Sequence, residues 1–408
     1  MKKLFLRNKI LKRLLQFKRT LVKSSFSNYP SQKQKRHRFK PFSKISELGG
    51  KVSLPKLMLT FLCCTGFMDK CLTNKTQNII SILFSISMHS MFIDIYASLE
   101  AAFTDFTMFK VAVANIASFV FPVVVWYVIL LKRKRIGDLL HKAEKEKPSS
   151  FEKFINYLVI LSCSLPVILS IHLAISISAT EESAFYSYGY DINNESAKFT
   201  IISIKSIIIY MVNPTYINTV ALFYISLCLR CKTSIQYLNR EIADRSPEDF
   251  TLCFQRNILR KRIKIYNLLL KIKDTFSLSV FFILIGHIAM CSGITGWLLV
   301  KQWDEADYYW KVETPYFAIN SVLCVVSVLW VAGSIPVELN AFKETFYQKT
   351  HRRLLYFNIR DELFLKTDMF NEPEFEFSGC EMVSFRRGTI LTIIGTSFTY
   401  TMLVIDKK

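Results

Sequence analysis

An all-α membrane protein with seven transmembrane helices, N-terminus cytosolic and C-terminus extracellular, is the fold class that this sequence of 408 residues predicts. Three observations carry the prediction. Apolar residues make up 51% of the chain and Phe alone numbers 34, more than a soluble domain normally carries, and mean hydropathy is positive. Seven apolar stretches approach the roughly 20 residues a helix needs to cross a bilayer. Charge is segregated along the chain, with basic and acidic connections alternating between those stretches.

Residues 1–77 form a basic N-terminal region. Leu4, Leu6, Ile10, Leu11, Leu14, Leu15 and Leu21 interleave with Lys and Arg at helical spacing. In isolation this amphipathic, acid-poor stretch resembles a mitochondrial transit peptide. It also fits a cytosolic helix on anionic lipid, where each basic residue contributes about 1 kcal/mol, and the downstream charge pattern favours that reading. No nucleic-acid partner is expected, and no secretory signal is visible. The stretch from Val52 to Phe67 is apolar but short, and it carries Pro55 and Lys56, so an interfacial or re-entrant helix is expected.

The candidate spans follow at 78–97, 111–131, 154–178, 201–229, 277–300, 317–336 and 388–405. Residues 78–336 are read as a six-helix ligand-binding bundle, 337–387 as a cytosolic anchor segment and 388–408 as the last helix and C-terminus. The last apolar stretch leaves only Asp406-Lys407-Lys408 behind it, so its work is expected inside the bilayer. Lys2, Lys3, Arg7, Lys9, Lys12 and Arg13 place the N-terminus in the cytosol. Lys132-Arg133-Lys134-Arg135 and Arg260-Lys261-Arg262 then fall on the same side, while Glu181, Glu182, Asp191, Glu195, Asp304, Glu305, Asp307 and Glu313 fall outside. On this topology the sequon Asn194-Glu195-Ser196 faces outward and is a glycosylation candidate at Asn194, whereas Asn74-Lys75-Thr76 faces the cytosol.

Enzyme chemistry leaves no trace: a phosphate loop, a Gly-x-Ser-x-Gly elbow and a His-Glu-x-x-His pair are all missing. No metal or cofactor is expected. The ten cysteines avoid the outer loops, so neither a zinc site nor a structural disulfide is expected. Lys110, Lys205 and Asp94 sit near an outer end rather than at mid-membrane, which argues against a proton-coupled transporter. Pro214, in Asn213-Pro214-Thr215-Tyr216, is read as a kink whose freed carbonyls are met by polar neighbours. A small-solute transporter and a G-protein-coupled chemoreceptor are the alternatives. The second conflicts with the cytosolic N-terminus, the missing outer disulfide and the short end of the chain.

In the last helix Thr392, Thr396, Thr399, Leu403 and Asp406 recur at spacings of four, three, four and three, on one face. Two readings of that stripe stay open. The threonines bond back to their own backbone, or the stripe lines a wet path. Thr399-Tyr400, five residues from Thr401 to Ile405, and the approach Phe377 to Arg387 together resemble the insect-type gustatory receptor family of arthropod chemoreceptors. That family's signature is Thr-Tyr, five mostly apolar residues, then Gln-Phe; here Asp406-Lys407 stands in place of Gln-Phe. The region from Tyr266 to Phe282 is similar to the family's fifth span.

The resemblance implies a ligand-gated, non-selective cation channel that detects small-molecule tastants. It implies homo- or heterotetrameric assembly in the plasma membrane of sensory neurons, with each subunit giving its last helix to the pore. Leu403 would then be a constriction and Asp406 a ring of acids at the outer mouth. The charged stretches 232–275 and 337–376 are either solvated linkers or, as in the family, packed helices that anchor the subunits. A ligand pocket is expected in the outer half of the bundle, with His172, Tyr210, Asn213, His287, Trp297 and Asn320 as candidate contacts.

Overall fold

The computed structural model describes residues 55–67, 75–104, 109–143, 146, 150–177, 192, 194–300, 308–357 and 374–405. The expectations for residues 1–50, Asn74 and Asp406 lie outside them. The described chain is helical apart from one two-stranded hairpin. A short helix, α1 (Lys56–Cys64), is followed by α2 (Lys75–Thr104), α3 (Phe109–Ala143) and α4 (Glu152–Ile177). Next, α5 (Glu195–Tyr210) runs through a wide turn at Met211–Tyr216 into α6 (Ile217–Ala243). Two long helices, α7 (Leu252–Val300) and α8 (Tyr308–Phe357), precede strands β1 (Ser378–Gly379) and β2 (Val383–Ser384) and the last helix, α9 (Arg387–Ile405).

Five helical stretches among the described residues are long and apolar enough to cross a membrane: Thr76–Asp94, Glu152–Ile177, Glu195–Ala243, Leu252–Gly296 and Tyr308–Phe357. With the fold reported below, this makes the chain a multi-pass membrane protein. Of the seven apolar stretches in the sequence, 201–229 runs across α5, the turn and α6, the described residues of the other six each fall on one helix, and those on α3 and α9 are not among the five. The surface shows why lipid is the solvent. On α2, Ile82, Leu83 and Ile86 stand exposed, Ile82 at 61%, where water would drive such residues inward. The nine-residue α1 is about 14 Å long, well short of the roughly 30 Å of hydrocarbon. It lies against α2, α4 and α6 through Met58, Leu62 and Cys63. Cys63 is disulfide-bonded, which corrects the expectation of no structural bridge. That expectation rested on which loops carry cysteines, and α1 is buried against helices rather than lying in a loop.

At the centre stands α6. Phe223, Leu227 and Cys228 are fully buried, and its neighbours α3, α4, α7 and α8 surround it. The chain enters α6 through Asn213, whose backbone (φ −138, ψ 115) leaves helical geometry ahead of Pro214, a residue with no N–H to continue the ladder. The Thr215 hydroxyl donates at 3.0 Å to the Ser162 carbonyl of α4, four residues before Pro166 and freed by it, and Thr219 donates to the Thr215 carbonyl one turn back at 2.9 Å.

Beyond the span ends, residues 232–275 and 337–357 continue as packed helices, not solvated linkers. Phe250 meets Phe346 edge-on at 5.3 Å, the Arg262 guanidinium lies over Tyr266 and Phe342, and Arg353 donates to the Pro247 and Glu248 carbonyls. Where this layer meets the bundle, Arg230 is wholly buried. Its Nε donates to Glu152 Oε1 at 2.7 Å and its Nη1 to the Ala143 carbonyl at 2.9 Å. One side chain thereby ties α6 to the end of α3 and the start of α4. Removing one partner of such a pair strands a buried charge, so Arg230→Met is expected to cost about 3–5 kcal/mol, read as a lowered thermal midpoint of the detergent-solubilised chain. Adding Glu152→Leu should recover most of that loss.

Candidate functional site

A pocket opens at the helix break. Asn213 and Pro214 form one wall, Phe121 and Pro122 of α3 a second, and Phe282, Gly286, His287 and Met290 of α7 a third. Phe317 and Ser321 of α8 close it. Gly286 permits the approach of α3, since a Cβ there would stand 3.2 Å from Cβ of Phe121. In this form the void measures about 10 Å³, room for one water. Its walls are aromatic and aliphatic, with three polar groups. His287, 4% exposed, has Nδ1 3.2 Å from Ser321 Oγ, and its Nε2 has no hydrogen-bond partner among the described residues. Because the tautomer is set by which way the Ser321 hydroxyl turns, Nε2 can serve as donor or acceptor.

Of the six candidate contacts, the pocket brings together Asn213 and His287. Asn320 points elsewhere and accepts from Asn218 Nδ2 at 2.7 Å; its neighbour Ser321, one residue or 100° around the helix, takes the position in the pocket. Tyr210 does not line the pocket; it donates to Glu313 Oε1 at 2.7 Å in a cluster with Tyr309 that adjoins the pocket through Phe317. Glu313 is therefore part of α8 and not of an acidic loop, and its carboxyl group accepts from a phenol. The His172 ring lies 5.4 Å from that of Tyr308, tilted by 48°, and the Trp297 side chain lies outside the description. Among the described residues no three His, Cys, Asp or Glu side chains converge on a metal-sized site.

The second part of the site is the hairpin before α9. Its turn holds Cys380 (φ 54) and Glu381 (φ 61) in the left-handed region and is closed by Met382 N–H donating to the Gly379 carbonyl at 2.9 Å. Phe375, Phe377 and Phe385 anchor it, Phe375 against Tyr266 at 5.6 Å and Phe377 against Tyr224 at 5.8 Å. Ser277 of α7 donates to the Ser378 carbonyl at 2.8 Å and accepts from Cys380 N–H at 2.9 Å. Nearby, Lys132 donates to the Asp274 and Thr275 carbonyls at 2.7 and 3.1 Å; burial pushes its ammonium below the usual lysine range, and the Asp274 carboxylate opposes that shift. The two regions that carried the sequence resemblance thus pack on each other. Gly333 of α8 completes the junction, because a Cβ there would stand 2.9 Å from the Arg387 backbone nitrogen at the start of α9.

On α9 itself the side chains of Thr392, Thr396 and Thr399 are exposed, and each hydroxyl donates to the carbonyl four residues back, at 3.3, 2.7 and 2.9 Å. Each hydroxyl thus bonds back to its own helix, and the three side chains stand on an open face. Tyr400 and Leu403 lie on α9 with side chains outside the description. The pocket and the junction share their helices. Ten residues of α7 separate His287 from Ser277 and twelve of α8 separate Ser321 from Gly333, about 15 and 18 Å along the axes.

No family model matches the sequence, and no curated protein matches it. Solved structures do. The insect olfactory receptor OR5 from Machilis hrabei superposes with a TM-score of 0.63 at 11% identity, covering 86% of this chain and 97% of that one. The same receptor in complex with eugenol gives a TM-score of 0.63 at 9% identity, covering 87% and 99%. The chain therefore has the fold of an insect olfactory receptor. Packing at the hairpin sets one expectation: in Gly379→Ala the new Cβ would meet Phe281 at 2.9 Å and Phe385 at 3.0 Å, and repacking should cost about 1–3 kcal/mol, seen as a lowered thermal midpoint.

Proposed function

We propose that this chain is a chemoreceptor subunit of the gustatory type, a ligand-gated, non-selective cation channel for small-molecule tastants that assembles as a homo- or heterotetramer in the plasma membrane of sensory neurons. The observation that carries the reading is that the pocket and the start of α9 are built on the same two helices, in a fold shared with an olfactory receptor. A void of about 10 Å³ cannot hold a tastant, so a ligand must part α7 from α3 or α8 to enter. Helices are stiff over 15–18 Å, so that displacement reaches Ser277 and Gly333 and, through them, α9. Ligand binding then shifts the population toward the form in which the pocket is open.

In this reading four α9 helices surround the pore. Thr392, Thr396 and Thr399 line it, Leu403 narrows it and Asp406 rings the outer mouth, with the N-terminus cytosolic and Asn194 glycosylated outside. The six-helix bundle takes the ligand, and the packed layer beyond the membrane holds the subunits together. His287 and Asn213 are the polar contacts in a mostly aromatic pocket, which suits a compact ligand with one hydroxyl. Eugenol, which the OR5 complex contains, has that chemistry and is a reasonable first probe.

Whole-cell recording from cells expressing this chain, with G-protein signalling blocked, tests the proposal. A rapid cation current evoked by eugenol or by a panel of sugars and bitter compounds is expected. His287→Leu should raise the half-maximal concentration of a hydroxyl-bearing ligand about tenfold or more, the loss of one buried hydrogen bond of about 1.4 kcal/mol, with surface expression unchanged. An external N-terminal epitope, or a current that survives only with G-protein signalling intact, would refute the channel.

A further inference from the structure

A second cavity, of about 260 Å³, lies between the extramembrane ends of α6 and α7, with Glu146 at its edge. It plays no part in the reading above and does not depend on it. Its floor is apolar, from Leu238 and Ile265, and its rim carries charges of both signs. Lys261 and Lys264 occupy one face of α7 at i and i+3. Lys261 is held by both oxygens of Glu241, at 3.1 and 3.2 Å. Lys264 and Glu146 border the same void, yet among the described residues neither forms an ion pair. Ser234, 4% exposed, also lines the cavity, with an Oγ that has no hydrogen-bond partner among the described residues.

A buried, unpartnered hydroxyl is costly unless something fills its place. Opposite charges that face one cavity without closing on each other are arranged for an occupant that brings both complements. Ser234 and Lys264 supply donors for an oxygen-rich anionic group, and Glu146 supplies an acceptor for an ammonium. The cavity's height agrees with a polar head group: Ser234 stands about 8 Å along α6 from Leu229, where the apolar run ends. We infer that this cavity binds a zwitterion of the phosphoethanolamine type, with its phosphate toward Lys264 and Ser234 and its ammonium toward Glu146. The same chemistry occurs in a lipid head group and in a free phosphate ester.

The full chain, reconstituted in phosphatidylcholine nanodiscs, would be exposed to O-phosphoethanolamine, phosphatidylethanolamine, inorganic phosphate or phosphatidylglycerol, and retention scored by native mass spectrometry. Retention of an ethanolamine compound at least about tenfold over both anion-only probes is expected; which of the two is retained names the source. Lys264→Gln and Glu146→Gln should each reduce that retention about tenfold at an unchanged thermal midpoint, and Ser234→Ala should weaken it, while Lys271→Gln should leave it unchanged. Equal retention of the anion-only probes, retention indifferent to both charge substitutions, or no retention of either ethanolamine compound would overturn the inference.

Discussion

Two helices that are much longer than the bilayer is thick govern this structure. At 49 and 50 residues, α7 and α8 run about 75 Å each, against roughly 30 Å of hydrocarbon. Each is one unbroken helix passing between two solvents, with Pro315 and Pro336 inside α8, so its membrane part and its extramembrane part are joined by continuous backbone. The remaining elements conform to that constraint. Helix α6 runs between the pair along both regions, α3 lies along α7, and the hairpin leading to α9 is fixed to both rods near the level where one solvent gives way to the other.

Charge is placed according to what surrounds it. Arg135 and Asp274 pair at 2.9 Å with most of each side chain exposed, and such a contact contributes little. Arg230–Glu152 and Lys205–Asp94, at 2.7 and 3.0 Å, are nearly closed off from solvent, so the consequence of losing either partner is much larger than the attraction itself. Both buried pairs join helices that are distant in sequence, α6 to α4 and α5 to α2. They fix which helices are neighbours, a task that apolar contacts alone do poorly when lipid is as greasy as the protein.

Much of the fold was legible in the sequence because hydrocarbon imposes a minimum length on an apolar helix, and the described residues of six of the seven stretches each fall on one helix. Less visible was where those helices stop. Apolar spacing in 232–275 and 337–357 signalled helices, but not that they continue the spans without a break. The candidate site was half legible. Asn213 and His287 stand out as polar residues in apolar surroundings, and both reach the pocket. Ser321 did not stand out, because a serine carries little signal and Asn320 beside it carries more; one step around a helix decided between them. Glu313 read as a loop acid because its partner, Tyr210, is 103 residues away. Cys63 read as free because a bridge depends on spatial proximity. The tight approaches at Gly333 and Gly379 leave no trace beyond the glycine itself.

The back-bonded threonines of α9 determine the character of its open face. A hydroxyl has one proton, and in Thr392, Thr396 and Thr399 that proton is committed to a carbonyl one turn below. What each presents outward is therefore only its remaining lone pairs. The face is a ladder of neutral Lewis bases that can accept but not donate, and none of its members changes protonation state across the biological pH range. In the proposed pore, such a ladder would solvate a metal ion or the hydrogens of water and offer nothing to a halide. A helix can in this way hold a preference for the sign of charge without carrying any charge of its own.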